Sequence, residues 1–256
     1  MELAKNRFKQ GIADGDLQIG LWSSLCSNMA AEGLAHSGFD WIVIDMEHAP
    51  NEIPNVISQL QAMTGGTATP LVRPQWNDFV LIKRLLDAGA QSLIIPYVQN
   101  REEAEQAVAA TRYPPLGIRG VSGSSRSSMY GRVKDYFHKA QDELCVIVQV
   151  ETAEALEQLE EIASVDGVDG VFIGPADLSA SLGYLGNMNA DEVQAAIRGA
   201  VERLARIGKP AGILSASEDD CRRYIEWGFT FVAVGIDTGL LVRTADALAR
   251  KFGRGD

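Results

Sequence analysis

Two kinds of apolar pattern alternate along the chain. Short, nearly continuous runs of Ile, Val, Leu and Phe are followed by longer stretches in which apolar residues recur every three or four positions. The first kind suits strands of a parallel sheet buried on both faces. The second suits helices with one apolar stripe. One strand-like pattern returns as Gly38–Asp45 (GFDWIVID), Gly89–Pro96 (GAQSLIIP), Gly167–Gly174 (GVDGVFIG) and Gly228–Gly235 (GFTFVAVG). Each copy opens on a glycine just past a helical stretch, where a left-handed residue closes the helix. Gln18–Ser24, Pro70–Arg73, Cys145–Val150 and Ala211–Ser215 bring the predicted strands to eight.

Helical spacing is clear over Asp78–Ala88, Glu102–Thr111, Ala153–Ala163, Val193–Ile207 and Glu218–Trp227. Strict alternation of strand and helix calls for a parallel α/β architecture. Eight such units in 256 residues predict one (β/α)8 (TIM) barrel domain over 1–256, with no composition shift or linker to divide it. One segment breaks the rhythm. Pro114 to Glu143, between the fourth barrel helix and the fifth strand, is long enough to be functional. It carries Gly117, Gly120, Gly123 and Gly131, a serine cluster, and Arg119, Arg126 and Arg132.

Composition narrows the function. With 46% hydrophobic and 22% charged residues, a large core is available and disorder is not expected. A formal charge of −11 argues against a nucleic-acid partner, because phosphate recognition needs a basic surface. No apolar run approaches the roughly 18 residues that cross a bilayer. The polar start, with Lys5, Arg7 and Lys9, does not read as a secretory signal, so a soluble cytoplasmic protein is expected. Cys26, Cys145 and Cys221 are odd in number and far apart, and read as small apolar residues rather than a disulfide framework or thiolate site.

In a barrel enzyme the chemistry sits where strands end. The second strand ends Asp45-Met46-Glu47-His48, and a carboxylate three residues before a histidine offers an oriented general base. Of the other histidines, His36 falls in a helix and His138 in the long segment. The third strand ends on Arg73, whose fixed charge suits either an enolate oxygen or a neighbouring carboxylate. In the fifth, alternation puts Gln149 and Glu151 on one face, at the upper rim of the interior. The sixth leads into Gly174-Pro175-Ala176-Asp177. Glu151 and Asp177, from adjacent strand ends, could complete an octahedral site for Mg²⁺ or Mn²⁺ with water and substrate oxygens. Each is equally explained alone, Glu151 as a helix cap and Asp177 as a first-turn acid. The leading amides of Ala176 and Asp177 offer a place for a substrate carboxylate. Trp22 and Leu214, with Ser215, are candidates for the wall of an acceptor pocket.

These strings resemble the metal-dependent 2-oxo acid aldolases, specifically the 4-hydroxy-2-oxoheptanedioate aldolase group. The resemblance rests on QIGLW at Gln18–Trp22, FDWIVIDMEHAPN at Phe39–Asn51, VRP at Val72–Pro74 and YPPLGIRGV at Tyr113–Val121. VQVET at Val148–Thr152, GVDGVFIGPADLS at Gly167–Ser179 and FVAVGIDT at Phe231–Thr238 extend it in order over nearly the whole chain. It implies reversible cleavage of a 4-hydroxy-2-oxo acid to pyruvate and an aldehyde, with a Mg²⁺, Mn²⁺ or Co²⁺ ion on Glu151 and Asp177. It further implies Arg73 on the enolate, His48 oriented by Asp45 as proton carrier, and Gln149 orienting water or aldehyde. A hexamer that exchanges C-terminal helices, here Thr238–Phe252, and a place in aromatic catabolism are implied as well. The related 2-dehydro-3-deoxy sugar-acid aldolases share the same set, and a donor such as hydroxypyruvate is a further alternative. Met46 stands where close relatives often carry glycine, and Gly123–Ser128 is a serine-rich version of a usually alanine-rich stretch. Both departures bear on acceptor preference.

A Schiff-base aldolase would need a lysine at a strand end. Lys83, Lys134, Lys139 and Lys209 all fall elsewhere. An acyl-CoA lyase would need a basic groove, to which the arginines of the long segment could belong; they fit a distal substrate carboxylate or a subunit contact equally. A non-catalytic barrel is permitted by fold alone, but would not need this set of polar strand ends.

Overall fold

The computed structural model describes residues 1–254. Its strands are β1 (Gln18–Ser23), β2 (Trp41–Asp45), β3 (Thr69–Arg73), β4 (Ser92–Ile95), β5 (Cys145–Val150), β6 (Gly170–Ile173), β7 (Ala211–Leu214) and β8 (Phe231–Ile236). All pair in parallel, in sequence order, and β8 returns to β1 to close the barrel. The predicted fold is the one observed. The recurrent glycines are left-handed as expected, with φ of 92° at Gly38, 100° at Gly89, 96° at Gly167 and 106° at Gly228.

The helices are α1 (Arg7–Asp14), α2 (Asn28–Ala35), α3 (Ile53–Ala62), α4 (Phe79–Asp87), α5 (Arg101–Thr111) and α6 (Tyr136–Glu143). They continue as α7 (Ala153–Glu157), α8 (Leu159–Ala163), α9 (Pro175–Ser181), α10 (Asp191–Arg206), α11 (Glu218–Trp227) and α12 (Asp237–Lys251). Their apolar stripes and the outward faces of the strands form one large core, which includes Ile42, Ile44, Val72, Val146, Val148, Val171 and Ile173. The intervening strand residues Trp41, Val43, Leu71, Cys145, Ile147, Phe172 and Phe231 point inward and form a second core inside the barrel.

This strict alternation positions the site. Following the inward face upward, Trp41 and Val43 lead to Asp45, Leu71 leads to Arg73, and Cys145 and Ile147 lead to Gln149. The lower barrel is filled with aromatic bulk, while its upper rim receives charged and polar groups. Interior glycines make the filling possible. A Cβ on Gly20 would lie 2.2 Å from the Trp41 ring, and one on Gly212 2.0 Å from Phe231. The bottom is closed by α1, whose Phe8 packs 5.7 Å from Trp41 and 5.6 Å from Phe231. The polar amino-terminal stretch thus contains a helix that the charge pattern concealed.

Four expectations are corrected. The helix expected over Ala153–Ala163 is two helices broken at Gln158. There Arg203 donates to the carbonyls of Leu156 at 2.8 Å and Glu157 at 3.5 Å. The long segment is partly ordered into a short 3-10 turn (Arg126–Ser128) and α6, so His138 is helical; His36 caps the end of α2 instead of lying within it. Because this segment joins a helix to the next strand, it runs at the strand starts, away from the mouth. Arg119 is buried against Asp87 at 3.1 Å and over the Tyr113 ring at 4.5 Å, Arg126 bonds the carbonyl of Ala88, and Arg132 that of Met129. None of the three lines the cavity at the mouth, which removes the distal-carboxylate role within this chain. Among the described residues no helix is long and apolar enough to cross a membrane.

Candidate active site

The strand ends converge on a cavity of about 560 Å³ at the mouth of the barrel. Asp45, His48, Arg73, Gln149 and Asp177 contribute its polar wall, and Trp22, Phe172 and Leu214 its apolar one. Among the described residues no lysine lines it. Lys209, nearest in character to a candidate amine, bonds the Val168 carbonyl at 2.5 Å.

Arg73 is the most constrained group. Its Nε and Nη2 donate to the two oxygens of Asp45, each at 2.8 Å, and its Nη1 lies 2.7 Å from Glu47. Its guanidinium rests 5.0 Å over the Trp22 ring. A planar fork gripped from two sides and stacked on a third cannot rotate freely, which suits a charge that must be in place before reaction.

The expected Asp45–His48 pair is not formed. The Asp45 carboxylate is occupied by Arg73 and by the amide of Glu47 at 3.0 Å. The His48 side chain is 66% exposed, with Nε2 3.9 Å from Glu47. A strand-end carboxylate pairs with the arginine of the adjacent strand in register, Asp45 opposite Arg73, before it can reach a side chain three residues on. Glu47 is a site residue that sequence reasoning misses, although it lies between the two. A signal exists: two residues beyond Asp45, it returns to the same side of the chain. Met46, by contrast, packs in the outer core and is absent from the cavity wall.

Gln149 and Glu151 lie together as alternation predicts. Gln149 donates through Nε2 to Glu151 Oε2, and the Tyr97 amide donates to Oε1 at 2.8 Å. Gln149 Oε1 is buried without a partner. Room for this carboxylate comes from Gly174, where a Cβ would sit 2.5 Å from Glu151 Oε2. Gly174 precedes α9, Pro175 opens it, and Asp177 stands in its first turn.

These are the strand ends of a known enzyme family. The sequence pattern of the HpcH/HpaI aldolase/citrate lyase family matches residues 18–244. The chain belongs to this family. It is 58% identical over 248 residues to a 4-hydroxy-2-oxo-heptane-1,7-dioate aldolase of Klebsiella pneumoniae, covering 96% of this chain and 94% of that one. An HpcH/HpaI aldolase/citrate lyase family protein of Burkholderia cenocepacia superposes with a TM-score of 0.94 at 39% identity, over 97% of this chain and 99% of the other. The citrate synthase SbnG does so with a TM-score of 0.86 at 27% identity, over 97% and 98%. One aldolase/citrate lyase scaffold thus carries more than one carbon–carbon bond chemistry, and the substrate depends on the site.

Electrostatics at the mouth favour a cation. Burial raises the Glu151 carboxyl to about 7, and the charges of Glu47 and Asp177 add to the rise, against the bonds from Gln149 and Tyr97. Glu47 is also raised, by burial first and then by Asp45 and Asp177, against the pull of Arg73 and His48. Hard oxygen donors that repel one another, with a buried amide oxygen left open, fit a divalent ion of the magnesium type. Among the described residues no cluster of three His, Cys, Asp or Glu side chains forms a closed cage. Two carboxylates would leave coordination positions for substrate and water.

The sign of the pH dependence follows. Without a cation the folded Glu151 holds its proton up to about pH 7, whereas the ordinary value is 4.5. Across that window the folded state binds the extra proton, so stability falls as pH rises, by about 3 kcal/mol in all. In chelator, thermal melting is therefore expected to fall between about pH 5 and pH 8 more steeply than in excess Mg²⁺. Parallel melting profiles in chelator and Mg²⁺ would remove Glu151 from any ion site.

Proposed function

We propose that this carbon–carbon lyase reversibly cleaves 4-hydroxy-2-oxo acids to pyruvate and an aldehyde. The heptanedioate for which its Klebsiella relative is named is the first substrate to test. The reading is carried by the convergence of Arg73, Gln149 and Asp177 on one cavity, with Glu151 buried directly behind Gln149 and bonded to it. Glu151 and Asp177 would hold a divalent ion, Mg²⁺, Mn²⁺ or Co²⁺, which when bound supplies Lewis-acid polarisation of the keto acid carbonyl.

The chain supplies the rest. The amides of Ala176 and Asp177, opening α9 beside Gly174, donate to the substrate carboxylate. His48, on the cavity wall, takes the proton of the C4 hydroxyl as the C3–C4 bond breaks, and returns it in the synthetic direction. The electron pair of that bond becomes the C2–C3 double bond of the enolate, and the carbonyl pair moves onto the keto oxygen. There the guanidinium of Arg73, fixed by Asp45 and Glu47, meets the growing charge. The proton held by His48 is then delivered to C3, which releases pyruvate. Gln149, whose buried Oε1 is free to accept a hydrogen bond, orients a water and through it the aldehyde. Trp22 and Leu214 shape the apolar path for the aldehyde chain.

We further propose a cytoplasmic homo-oligomer, a hexamer. Of α12, only Asp237 is buried, while Leu240, Leu241, Val242 and Leu248 are exposed on the isolated chain. Apolar residues gathered on one projecting helix favour cover by another subunit. The three cysteines are free, in keeping with a reducing compartment.

The deciding experiment measures pyruvate release from a panel of 4-hydroxy-2-oxo acids and 2-dehydro-3-deoxy sugar acids. Protein stripped by chelator is compared with protein given back each ion. Loss of turnover on stripping, restored by Mg²⁺, Mn²⁺ or Co²⁺ and highest with the heptanedioate, is expected. Full turnover after stripping, or a pyruvate adduct stable to borohydride reduction, would overturn the metal reading.

A further inference from the structure

Tyr97 has no part in the reaction as described, yet it occupies an unusual place. It follows β4 directly after Pro96, and its φ is 55°, in the left-handed region. An L-residue adopts that conformation against a steric cost that glycine escapes. Such residues concentrate where a backbone group must be aimed.

What this turn aims is plain from its bonds. The Tyr97 amide donates to Glu151 Oε1 at 2.8 Å, and the next amide, Val98, donates to the Gln149 carbonyl at 3.1 Å. Two successive amides thus bracket the end of β5, a convergence that needs the left-handed residue between them. With Gln149 holding Glu151 Oε2, both carboxylate oxygens are fixed by donors.

The side chain explains why the position is not glycine. The Tyr97 ring stacks on Trp76, with centroids 5.5 Å apart and planes inclined by 28°. Both rings are largely open to solvent, at 39% for Tyr97 and 54% for Trp76, so burial does not account for them. Trp76 lies in the segment leaving β3, three residues beyond Arg73. The stack therefore ties the loop after the arginine to the loop that grips the glutamate.

We infer that Tyr97 is a positioning residue: its left-handed backbone, held by the stack on Trp76, orients the Glu151 carboxylate toward the ion. The inference rests on the reading of Glu151 as an ion ligand. Partners of this kind, one bond behind a ligand, tune affinity by about tenfold or more.

Mn²⁺ titration of the purified full-length protein, without substrate, tests it on four variants. Tyr97→Ala, left-handed but unstacked, and Trp76→Ala are expected to bind Mn²⁺ about tenfold more weakly. Tyr97→Gly, at ease in the left-handed region, and Tyr97→Phe, which keeps the stack, are expected to bind as the parent does. Turnover at saturating Mn²⁺ is expected to be alike in all four, separating ion affinity from chemistry. Parent-like Mn²⁺ binding by Tyr97→Ala, or a loss in Tyr97→Gly equal to that in Tyr97→Ala, overturns the inference while the ion site stands. A parent protein that binds no Mn²⁺ overturns the ion reading itself, and this inference with it.

Discussion

Glu151→Gln is expected to slow cleavage of a 4-hydroxy-2-oxo acid by about 10³-fold and to abolish tight Mn²⁺ binding, while the cation-free protein melts at a higher temperature than the parent. The loss follows from charge. Glutamine keeps the shape and the bond from the Tyr97 amide, but offers a cation only a neutral oxygen. Lewis-acid stabilisation of the developing charge supplies several kcal/mol, and about 4 kcal/mol corresponds to roughly 10³ in rate. The gain in stability has the opposite origin. Burial and the neighbouring charges of Glu47 and Asp177 make an ionised Glu151 costly, raising its carboxyl to about 7. A neutral side chain removes that cost above neutral pH. The two effects together distinguish an ion ligand from a structural glutamate, whose loss would lower both melting temperature and turnover. Pyruvate release and thermal melting at about pH 8 in chelator give the answer. Turnover within about tenfold of the parent, with Mn²⁺ binding retained, would end the role given to Glu151.

Much of the scaffold could be read in the sequence because barrel strands announce themselves twice. The left-handed glycines at Gly38, Gly89, Gly167 and Gly228 mark where helices stop, and the apolar runs behind them mark strands covered on both faces. The same alternation carried the reading from Cys145 and Ile147 up to Gln149 and Glu151. What escaped depended on contacts between distant parts of the chain. No local signal breaks the helix at Gln158; the carbonyls there are taken by Arg203 of α10, which lies beyond β6 along the chain. The long segment between α5 and β5 stood out by length and arginine content, which left a role for its arginines on a distal substrate carboxylate open. Its direction, from helix to strand, carries it to the other end of the barrel. Sequence spacing also joined Asp45 to His48, whereas the β2–β3 register joins Asp45 to Arg73. The Tyr97 amide had no signature at all, since a backbone donor does not depend on residue type.

Arg73→Ala is expected to lower turnover by about 10²–10³-fold, as removal of one oxyanion donor does, and also to destabilise the fold by about 3–5 kcal/mol. The second effect arises because the arginine leaves two carboxylates behind. Asp45 is 2% exposed and would lose both of its guanidinium bonds. Glu47, whose carboxyl is already raised by burial, would lose the charge that opposes the rise. Arg73→Lys separates the two losses. An ammonium restores a positive charge between Asp45 and Glu47, so much of the stability should return. It lacks the planar fork that engages Asp45 through two nitrogens and stacks on Trp22, so turnover should remain low. Urea unfolding of both variants, alongside kcat for pyruvate release at saturating Mn²⁺, reads the two effects independently. If Arg73→Lys recovers turnover together with stability, the guanidinium acts only as a counter-charge for Asp45 and Glu47, and the keto oxygen must find its stabilisation elsewhere in the cavity.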